Sequence, residues 1–170
     1  MIDNLIEICL VKDAAEKSKI CREILSALPQ WFGIPEANAE YIRQVQSKIF
    51  FAAQVQQKAV GFYALEAHSA GSAEIYLCAV LPQWQGQKIG TTLQKYVEHY
   101  LQNEGVKYLT VKTLSAQHPD QYYAKTRKFY QKMGFVALQE LPDLWGEDNP
   151  CLLMLKILEH YNRSALSKDE

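Results

Sequence analysis

Apolar residues recur at two different spacings along the chain, and these spacings predict a mixture of strands and helices. Ile89, Leu93, Val97 and Leu101 recur every fourth residue, which predicts an amphipathic helix. Short apolar or alternating runs bounded by turn residues predict strands. The predicted strands are 5–11, 49–56, 59–67, 74–80, 107–114, 135–139 and 151–158, and the other predicted helices are 14–28, 36–46 and 122–133. This order predicts a mixed sheet with helices on both faces.

The segment from Leu77 to Thr92 carries the strongest chemical signal. An apolar run ends near Pro82, Gly86 and Gly90 follow, and the amphipathic helix begins at once. The first turn of a helix exposes backbone N–H groups that have no acceptor inside the helix, and the aligned peptide dipoles make that end positive. We interpret the segment as a cradle for a pyrophosphate. It lacks the lysine and hydroxyl order of a Walker A loop and the three glycines of a dinucleotide fingerprint.

A second motif lies about forty residues further along the chain. Residues 127–135, RKFYQKMGF, predict the last turns of a helix, a stop at Gly134 and the start of another strand. Together, in this order and at this separation, the two segments resemble the GNAT family of acyl-CoA-dependent N-acetyltransferases. The match departs from the family pattern at Lys88, where a glycine is usual, and at Tyr123, where an asparagine is common.

The resemblance implies a fold and a coenzyme site. We expect an α/β fold of the GNAT type: a mixed, mostly antiparallel central β-sheet flanked by helices on both faces, with two splayed strands forming the acyl-CoA cleft. Acetyl-CoA would be the co-substrate, with its pyrophosphate on the amides of the cradle and its pantetheine arm along the preceding strand. The residues expected to bind it are Cys78, Ala79, Val80, Gln85, Gly86, Gln87, Lys88, Ile89, Gly90, Thr91, Tyr123 and Arg127.

The resemblance also implies an N-acetyltransferase that transfers an acetyl group to a primary amine by direct attack in a ternary complex. Tyr130 matches the family's general acid, and a phenol with a reference pKa of about 10 can donate to a leaving thiol. The alternative for Tyr130 is an amphipathic ring at a helix edge.

Glu74 is the candidate base, because it lies six residues before Val80, where the histone-acetyltransferase branch of the family carries its glutamate. Strand alternation predicts that Glu74 shares one face with three residues nearer the acyl group, namely Tyr76, Cys78 and Val80. The alternative for Glu74 is a solvated carboxylate at the start of a strand. Glu66 and His68 are reserve candidates for the base.

Length, charge and hydropathy predict the domain organisation of the chain and its location in the cell. A chain of 170 residues suits one domain, which we expect at residues 1–161, followed by a polar tail at 162–170. A net charge of -1 predicts no general attraction to nucleic acid or to an anionic membrane. No apolar stretch approaches the roughly 20 residues of a membrane span, and residues 1–7 do not read as a signal peptide, so we expect the cytoplasm.

The four cysteines show no metal-ligand spacing, so we expect free thiols and no metal. Cys78 would lie beside the acyl group and could carry it, although a small core side chain is the simpler interpretation. The resemblance leaves the acceptor open between a small molecule and a peptide, and it allows a homodimer. It does not distinguish acetyl from a longer acyl donor.

We expect the acceptor pocket at residues 27–41, with Trp31 and Phe32, and in the loop around Trp145. That loop also carries the acidic residues Asp143, Glu147 and Asp148, which would suit a cationic amine. Two other interpretations of the chain stay open: a non-catalytic acyl-CoA-binding sensor and a nucleotide-phosphate-binding domain.

Overall fold

The structure is a computed structural model that describes residues 6–158. The helices and strands follow the predicted order, with bounds that differ by a few residues at their ends. They are β1 Ile6–Val11, α1 Ala14–Ser26, α2 Pro35–Gln44, β2 Ile49–Val55, β3 Lys58–Ser69, β4 Ser72–Val80, α3 Ile89–Asn103, β5 Tyr108–Leu114, α4 Gln121–Lys132, β6 Val136–Leu141 and β7 Cys151–Ile157. The expected boundary between the domain and the tail, at residues 161 and 162, lies outside the described residues.

The seven strands form one sheet in the order β1-β2-β3-β4-β5-β7-β6. Every neighbouring pair is antiparallel except β4 and β5, which are parallel and are joined by the crossover helix α3. The predicted mixed, mostly antiparallel sheet is therefore confirmed. Between residues 6 and 158, no helix is both long and apolar enough to cross a membrane.

Helices cover both faces of the sheet, as the element order predicts. On one face, which we call the α3–α4 face, Ile89, Leu93, Val97 and Leu101 of α3 are each at most 2% exposed. Burying each of these side chains stabilises the fold by about 1.5–3 kcal/mol. On the other face, the α1–α2 face, the apolar stripe of α1 packs on β2, β3 and the second half of β4.

The parallel pair β4 and β5 is joined for only part of its length. Ser72 to Ile75 pair with Tyr108 to Val111, and beyond Ile75 and Val111 the two strands are no longer paired. The strands therefore diverge, and we call the gap between residues 76–80 of β4 and residues 112–114 of β5 the wedge. The splay that the family resemblance implies is present, and it leaves backbone groups of both strands without partners from the sheet.

A β-bulge in β4 overturns the predicted alternation of side chains. Leu65 of β3 pairs with Ile75, and the next residue, Ala64, pairs with Leu77, so Tyr76 is an extra residue in β4. An extra residue shifts the alternation by one position. Glu74 and Tyr76 consequently face α1 and α2, while Cys78 and Val80 pack into the core of the α3–α4 face. The prediction that all four share one face is wrong.

Candidate active site

The start of α3 has the features of an anion site. The first backbone hydrogen bond at this end of α3 runs from the Thr92 N–H to the Lys88 carbonyl, at 2.9 Å. The N–H groups of Ile89, Gly90 and Thr91 therefore have no acceptor within the helix. Within the part of the chain that the structure describes, no side chain caps this end of α3 either. Three unsatisfied donors and the positive end of the helix dipole point into one cavity.

Lys88 adopts the backbone conformation that the family's usual glycine would allow. Its φ is 64° and its ψ is 6°, in the left-handed region. A side chain in this region costs about 1–2 kcal/mol. Lys88 also lines the cavity beside Gly86, so a cationic residue borders the cavity next to the amides. The departure from the family pattern thus preserves the turn and adds a cation to it.

Gln85 differs from the other residues of the cradle. Its N–H already donates to the Pro82 carbonyl at 3.2 Å, and its side-chain amide donates to the Val80 carbonyl at 3.1 Å. Gln85 therefore ties the turn to the end of β4, and its backbone amide is occupied within the protein. Gln87 also uses its side chain locally, since it donates to the Gln83 carbonyl at 2.7 Å.

Tyr130 and Cys78 meet beside the wedge. The Tyr130 hydroxyl lies 3.1 Å from the Cys78 Sγ, and either atom can be the donor. Burial raises the pKa of Tyr130 well above its usual value of 10, and the neighbouring thiol raises it further. Burial also raises the pKa of the Cys78 thiol to about 11, although the hydrogen bond from Tyr130 opposes this effect. Both groups are protonated at neutral pH, which disfavours Cys78 as a nucleophile that carries the acyl group.

A buried polar chain behind this pair was not predicted from the sequence. The fully buried Tyr63 hydroxyl donates to Gln94 Oε1 at 2.9 Å, and Gln94 donates in turn to Glu98 Oε1 at 2.7 Å. Lys156 completes the chain with an ion pair to Glu98 at 2.6 Å. Gln94 could have been noticed as a polar residue beside the apolar stripe of α3, but no local pattern singles out Tyr63.

Glu74 is 8% exposed and lies between two positive or ionisable partners. The Lys112 ammonium donates to both carboxylate oxygens, at 2.8 and 2.9 Å, and His68 Nε2 lies 2.8 Å from Oε2. The carboxylate is therefore ion-paired rather than solvated at a strand end. Glu66, the cross-strand partner of Glu74, forms an ion pair with Lys48.

Tyr123 and Arg127 use their polar groups within the protein. The Tyr123 hydroxyl donates to the Trp31 carbonyl at 2.8 Å, and the Trp31 indole donates to Thr126 Oγ1 at 3.1 Å. These two bonds join α4 to the loop between α1 and α2. Arg127 donates to the Leu114 carbonyl at 2.7 Å, which satisfies a backbone oxygen at the splayed end of β5.

One cavity of about 1080 Å³ connects these features. It runs from the turn before α3, along the free edge of β4 at Cys78, Ala79 and Val80, to Tyr130 and Glu74. Its far end is lined by Trp31 and other aromatic residues, and by Leu144 and Trp145 of the loop between β6 and β7. Because of the bulge in β4, Glu74 reaches the cavity from the α1–α2 face and Tyr130 from the α3–α4 face.

Comparison with known proteins places this arrangement in a family. The family model described as the acetyltransferase (GNAT) domain matches residues 46–137, which is more than half of the chain. An uncharacterized N-acetyltransferase of Methanocaldococcus jannaschii is 28% identical over 108 residues, a match that spans 63% of this chain and 65% of the relative's own length.

Solved structures share the fold. A protein from Desulfovibrio desulfuricans assigned to the GNAT family superposes with a TM-score of 0.78 at 18% identity, over 91% of this chain and 99% of the other. An aminoglycoside 6′-N-acetyltransferase complexed with coenzyme A superposes with a TM-score of 0.70 at 20% identity, over 90% of this chain and 97% of the other. The family match and the shared fold agree with the splayed sheet, and the chain belongs to the GNAT family of acetyltransferases.

Proposed function

We propose that this chain is an acetyl-CoA-dependent N-acetyltransferase that transfers the acetyl group directly to a primary amine in a ternary complex. The observation that carries the proposal is the single cavity that joins the unsatisfied amides of α3, the wedge and Tyr130. A long coenzyme with an anionic end and an amide-bearing arm suits these three features in this order.

The cradle fits a diphosphate in charge and in shape. Main-chain donors at Ile89, Gly90 and Thr91 supply oriented hydrogen bonds, and Lys88 supplies a positive charge. A Cβ at Gly86 would meet no heavy atom within 4 Å, so the turn leaves open space for a ligand. The unpaired edge of β4 supplies backbone groups that suit the amides of a pantetheine arm.

The sheet separates the two reactants. In this proposal the coenzyme lies on the α3–α4 face and its thioester reaches the wedge, while the amine approaches from the α1–α2 face. The amine nitrogen attacks the thioester carbonyl carbon, the carbon–nitrogen bond forms, the carbon–sulfur bond breaks and the electron pair passes to sulfur. The excess proton of the amine passes to Glu74, directly or through water.

Tyr130 assists the departing sulfur. Because its pKa is raised well above 10, it stays protonated and donates a hydrogen bond at neutral pH. The thioester sulfur would replace the Cys78 Sγ as the partner of the Tyr130 hydroxyl. The raised pKa favours stabilisation of the leaving thiolate by this hydrogen bond over complete proton transfer from tyrosine.

Calorimetry with acetyl-CoA tests the binding step, and release of the free thiol of CoA with a panel of amines tests the reaction. We expect saturable binding, and we expect acetyl-CoA at 100 times its Kd to stabilise the folded protein by about 2.7 kcal/mol. ATP is the control ligand, and stabilisation by ATP but not by CoA would contradict the proposal. Binding without thiol release with any amine would instead indicate a non-catalytic acyl-CoA-binding domain.

A further inference from the structure

The far end of the cavity differs in chemistry from the coenzyme end. In the proposed function, the amine occupies the side of the wedge that faces α1 and α2. Tyr76 points to this side because of the bulge in β4, and it makes an edge contact with Tyr41 at 6.0 Å between ring centroids. Phe32 makes an edge contact with Tyr41 at 6.2 Å, so three rings form a continuous wall. All three line the cavity.

The mouth of this half of the cavity is apolar as well. Ile34 is 53% exposed, Leu144 is 51% exposed and Trp145 is 42% exposed, and all three line the same cavity. Ile34 precedes α2, whereas Leu144 and Trp145 belong to the loop between β6 and β7, so two distant segments bring apolar groups to one opening. Exposed apolar side chains that converge on a cavity mark a binding surface for an apolar group.

The charges that line the cavity oppose a polycationic acceptor. Among the described residues that line it, Glu74 is the one carboxylate, and it is already paired with Lys112 and close to His68. The other charged lining residues are four lysines, Lys88, Lys112, Lys125 and Lys132. The acidic loop residues that would suit a cationic amine, Asp143, Glu147 and Asp148, line a separate cavity of about 380 Å³.

We propose that the acceptor is a primary amine on a large apolar or aromatic body, with the amine as its one cationic group. The inference rests on the proposed function and specifies the substrate class of the same site. The aromatic wall and the apolar mouth receive the body of the acceptor, and the amine reaches the wedge near Glu74. A polyamine or an aminoglycoside would place further ammonium groups among lysines and apolar side chains, where no unpaired carboxylate of the described lining compensates them.

A series of amines tests this specificity. With saturating acetyl-CoA, kcat/KM for straight-chain alkylamines from propylamine to heptylamine should rise by roughly threefold to fourfold for each methylene that becomes buried. The kcat/KM values for phenethylamine and tryptamine should exceed those for ethanolamine and spermidine by about 100-fold or more. The aromatic amines bury an apolar area equivalent to several additional methylene groups. Equal or higher kcat/KM for spermidine or for an aminoglycoside would overturn the inference.

Two matched leucine variants locate the preference on the protein. Leu144→Ala removes an apolar side chain from the mouth and should reduce kcat/KM for heptylamine by roughly threefold to tenfold, with little change for propylamine. Leu138→Ala is the control, because Leu138 is 55% exposed but does not line the cavity. An equal change in kcat/KM in both variants would contradict the assignment of Leu144 to the acceptor site. An equal change for heptylamine and propylamine in Leu144→Ala would also contradict it.

Failure of this inference differs from failure of the proposed function. Acetyl-CoA binding and turnover with a preference for polycationic amines would refute only the substrate class. Absence of acetyl-CoA binding, or binding without turnover of any amine, would refute the proposed function and the substrate class with it.

Discussion

At the scale of single residues, the surroundings of the Tyr130 hydroxyl support its proposed role most directly. It is buried, it stays protonated, and it lies 3.1 Å from a sulfur atom at the side of the wedge where the thioester would lie. The geometry already shows that a sulfur can occupy the hydrogen-bonding position. A leaving thiolate would be a stronger acceptor than the Cys78 thiol that holds this position in the structure.

Replacing Tyr130 by phenylalanine tests this role. We expect kcat to fall by about 10²–10⁴-fold, the usual contribution of acid assistance, while the Kd of acetyl-CoA stays nearly unchanged. Steady-state kinetics and calorimetry provide the two measurements. Tyr100→Phe is the matched control, because Tyr100 is a partly buried tyrosine of α3 that does not line the cavity. An unchanged kcat for Tyr130→Phe would exclude Tyr130 from the mechanism.

Glu74 invites a second residue-scale test, since its ion pair with Lys112 competes with proton uptake from the amine. If Glu74 accepts the proton, Glu74→Gln should lower kcat/KM by roughly 10²-fold or more at low pH. The deficit should shrink at high pH, where more of the amine is already neutral. A ratio of variant to wild type that does not change with pH would show that Glu74 positions groups rather than accepts the proton.

Glu66→Gln is the control for Glu74→Gln. Glu66 is the cross-strand neighbour and also carries an ion pair, with Lys48, but it does not line the cavity. We expect its pH profile to follow that of the wild type. A similar pH-dependent deficit in both variants would assign the effect to strand stability.

At the scale of elements, α4 is joined to the loop between α1 and α2 by the hydrogen bond from Tyr123 to the Trp31 carbonyl. That loop forms part of the proposed acceptor wall, so the bond couples the coenzyme side of the site to the acceptor side. The family resemblance implies that Tyr123 binds the coenzyme. In the structure Tyr123 lines the cavity, and its hydroxyl donates to the Trp31 carbonyl.

The Tyr123→Phe variant distinguishes these roles. Loss of the hydroxyl leaves the Trp31 carbonyl without this partner, and we expect a loss of about 1–3 kcal/mol in the free energy of unfolding. We also expect a higher KM for the amine and an unchanged Kd for acetyl-CoA. Tyr122→Phe is the control, because the Tyr122 ring packs on Trp31 at 4.9 Å but its hydroxyl has no hydrogen bond in the described residues. Weaker acetyl-CoA binding in Tyr123→Phe, but not in Tyr122→Phe, would support a role of Tyr123 in coenzyme binding.

The elements could be predicted from the sequence where their periodicity is strong and local. The stripe of α3 and the stop at Gly134 are such cases, and the structure has both. The predicted strands 49–56 and 59–67 leave residues 57 and 58 for the turn between them, one residue later than in the structure. There the turn is formed by Gln56 and Gln57, whose φ values of 49° and 64° are unusual for glutamine.

Other features depend on contacts between distant segments. The bulge at Tyr76 arises from the register of β4 against β3, and neither strand signals it locally. The chain from Tyr63 through Gln94 to Glu98 requires β3 and α3 to pack together before it exists. These contacts determine which face of the sheet Glu74 lies on and which groups pack behind Tyr130. The sequence therefore predicts which residues form the candidate site, but not the directions in which their side chains point.

At the scale of the whole molecule, buried cysteine thiols and tyrosine hydroxyls make the stability of the fold sensitive to pH in the alkaline range. Burial raises the pKa of Cys21 to about 12 and of Cys78 and Cys151 to about 11, from an ordinary value of 9.0. Tyr63, Tyr123 and Tyr130 are shifted upward for the same reason. Below pH 9 the folded and unfolded chains keep these protons alike, and above it the unfolded chain releases them first.

We therefore expect the Tm, measured in the presence of a reductant, to be level near pH 8 and to fall progressively as the pH rises from about 9 towards 11. The folded protein binds more of these protons than the unfolded chain in that window, so stability decreases with pH. In a pH titration, the ultraviolet absorbance of tyrosinate should rise at a higher pH in the folded protein than in the protein unfolded by denaturant. A Tm that stays constant up to pH 10.5 would contradict the burial of these groups.

The narrowest connection within the sheet lies between β4 and β5, where four residue pairs hold together strands β1 to β4 and strands β5 to β7. A molecule lodged between the diverging ends would bridge the two halves of the protein, and by mass action would lower the population of opened chains. In a cell, the survival of this protein against proteases would then follow the supply of that molecule. If the proposed function holds, the abundance of the protein, as well as its turnover, would depend on the concentration of acetyl-CoA in the cell.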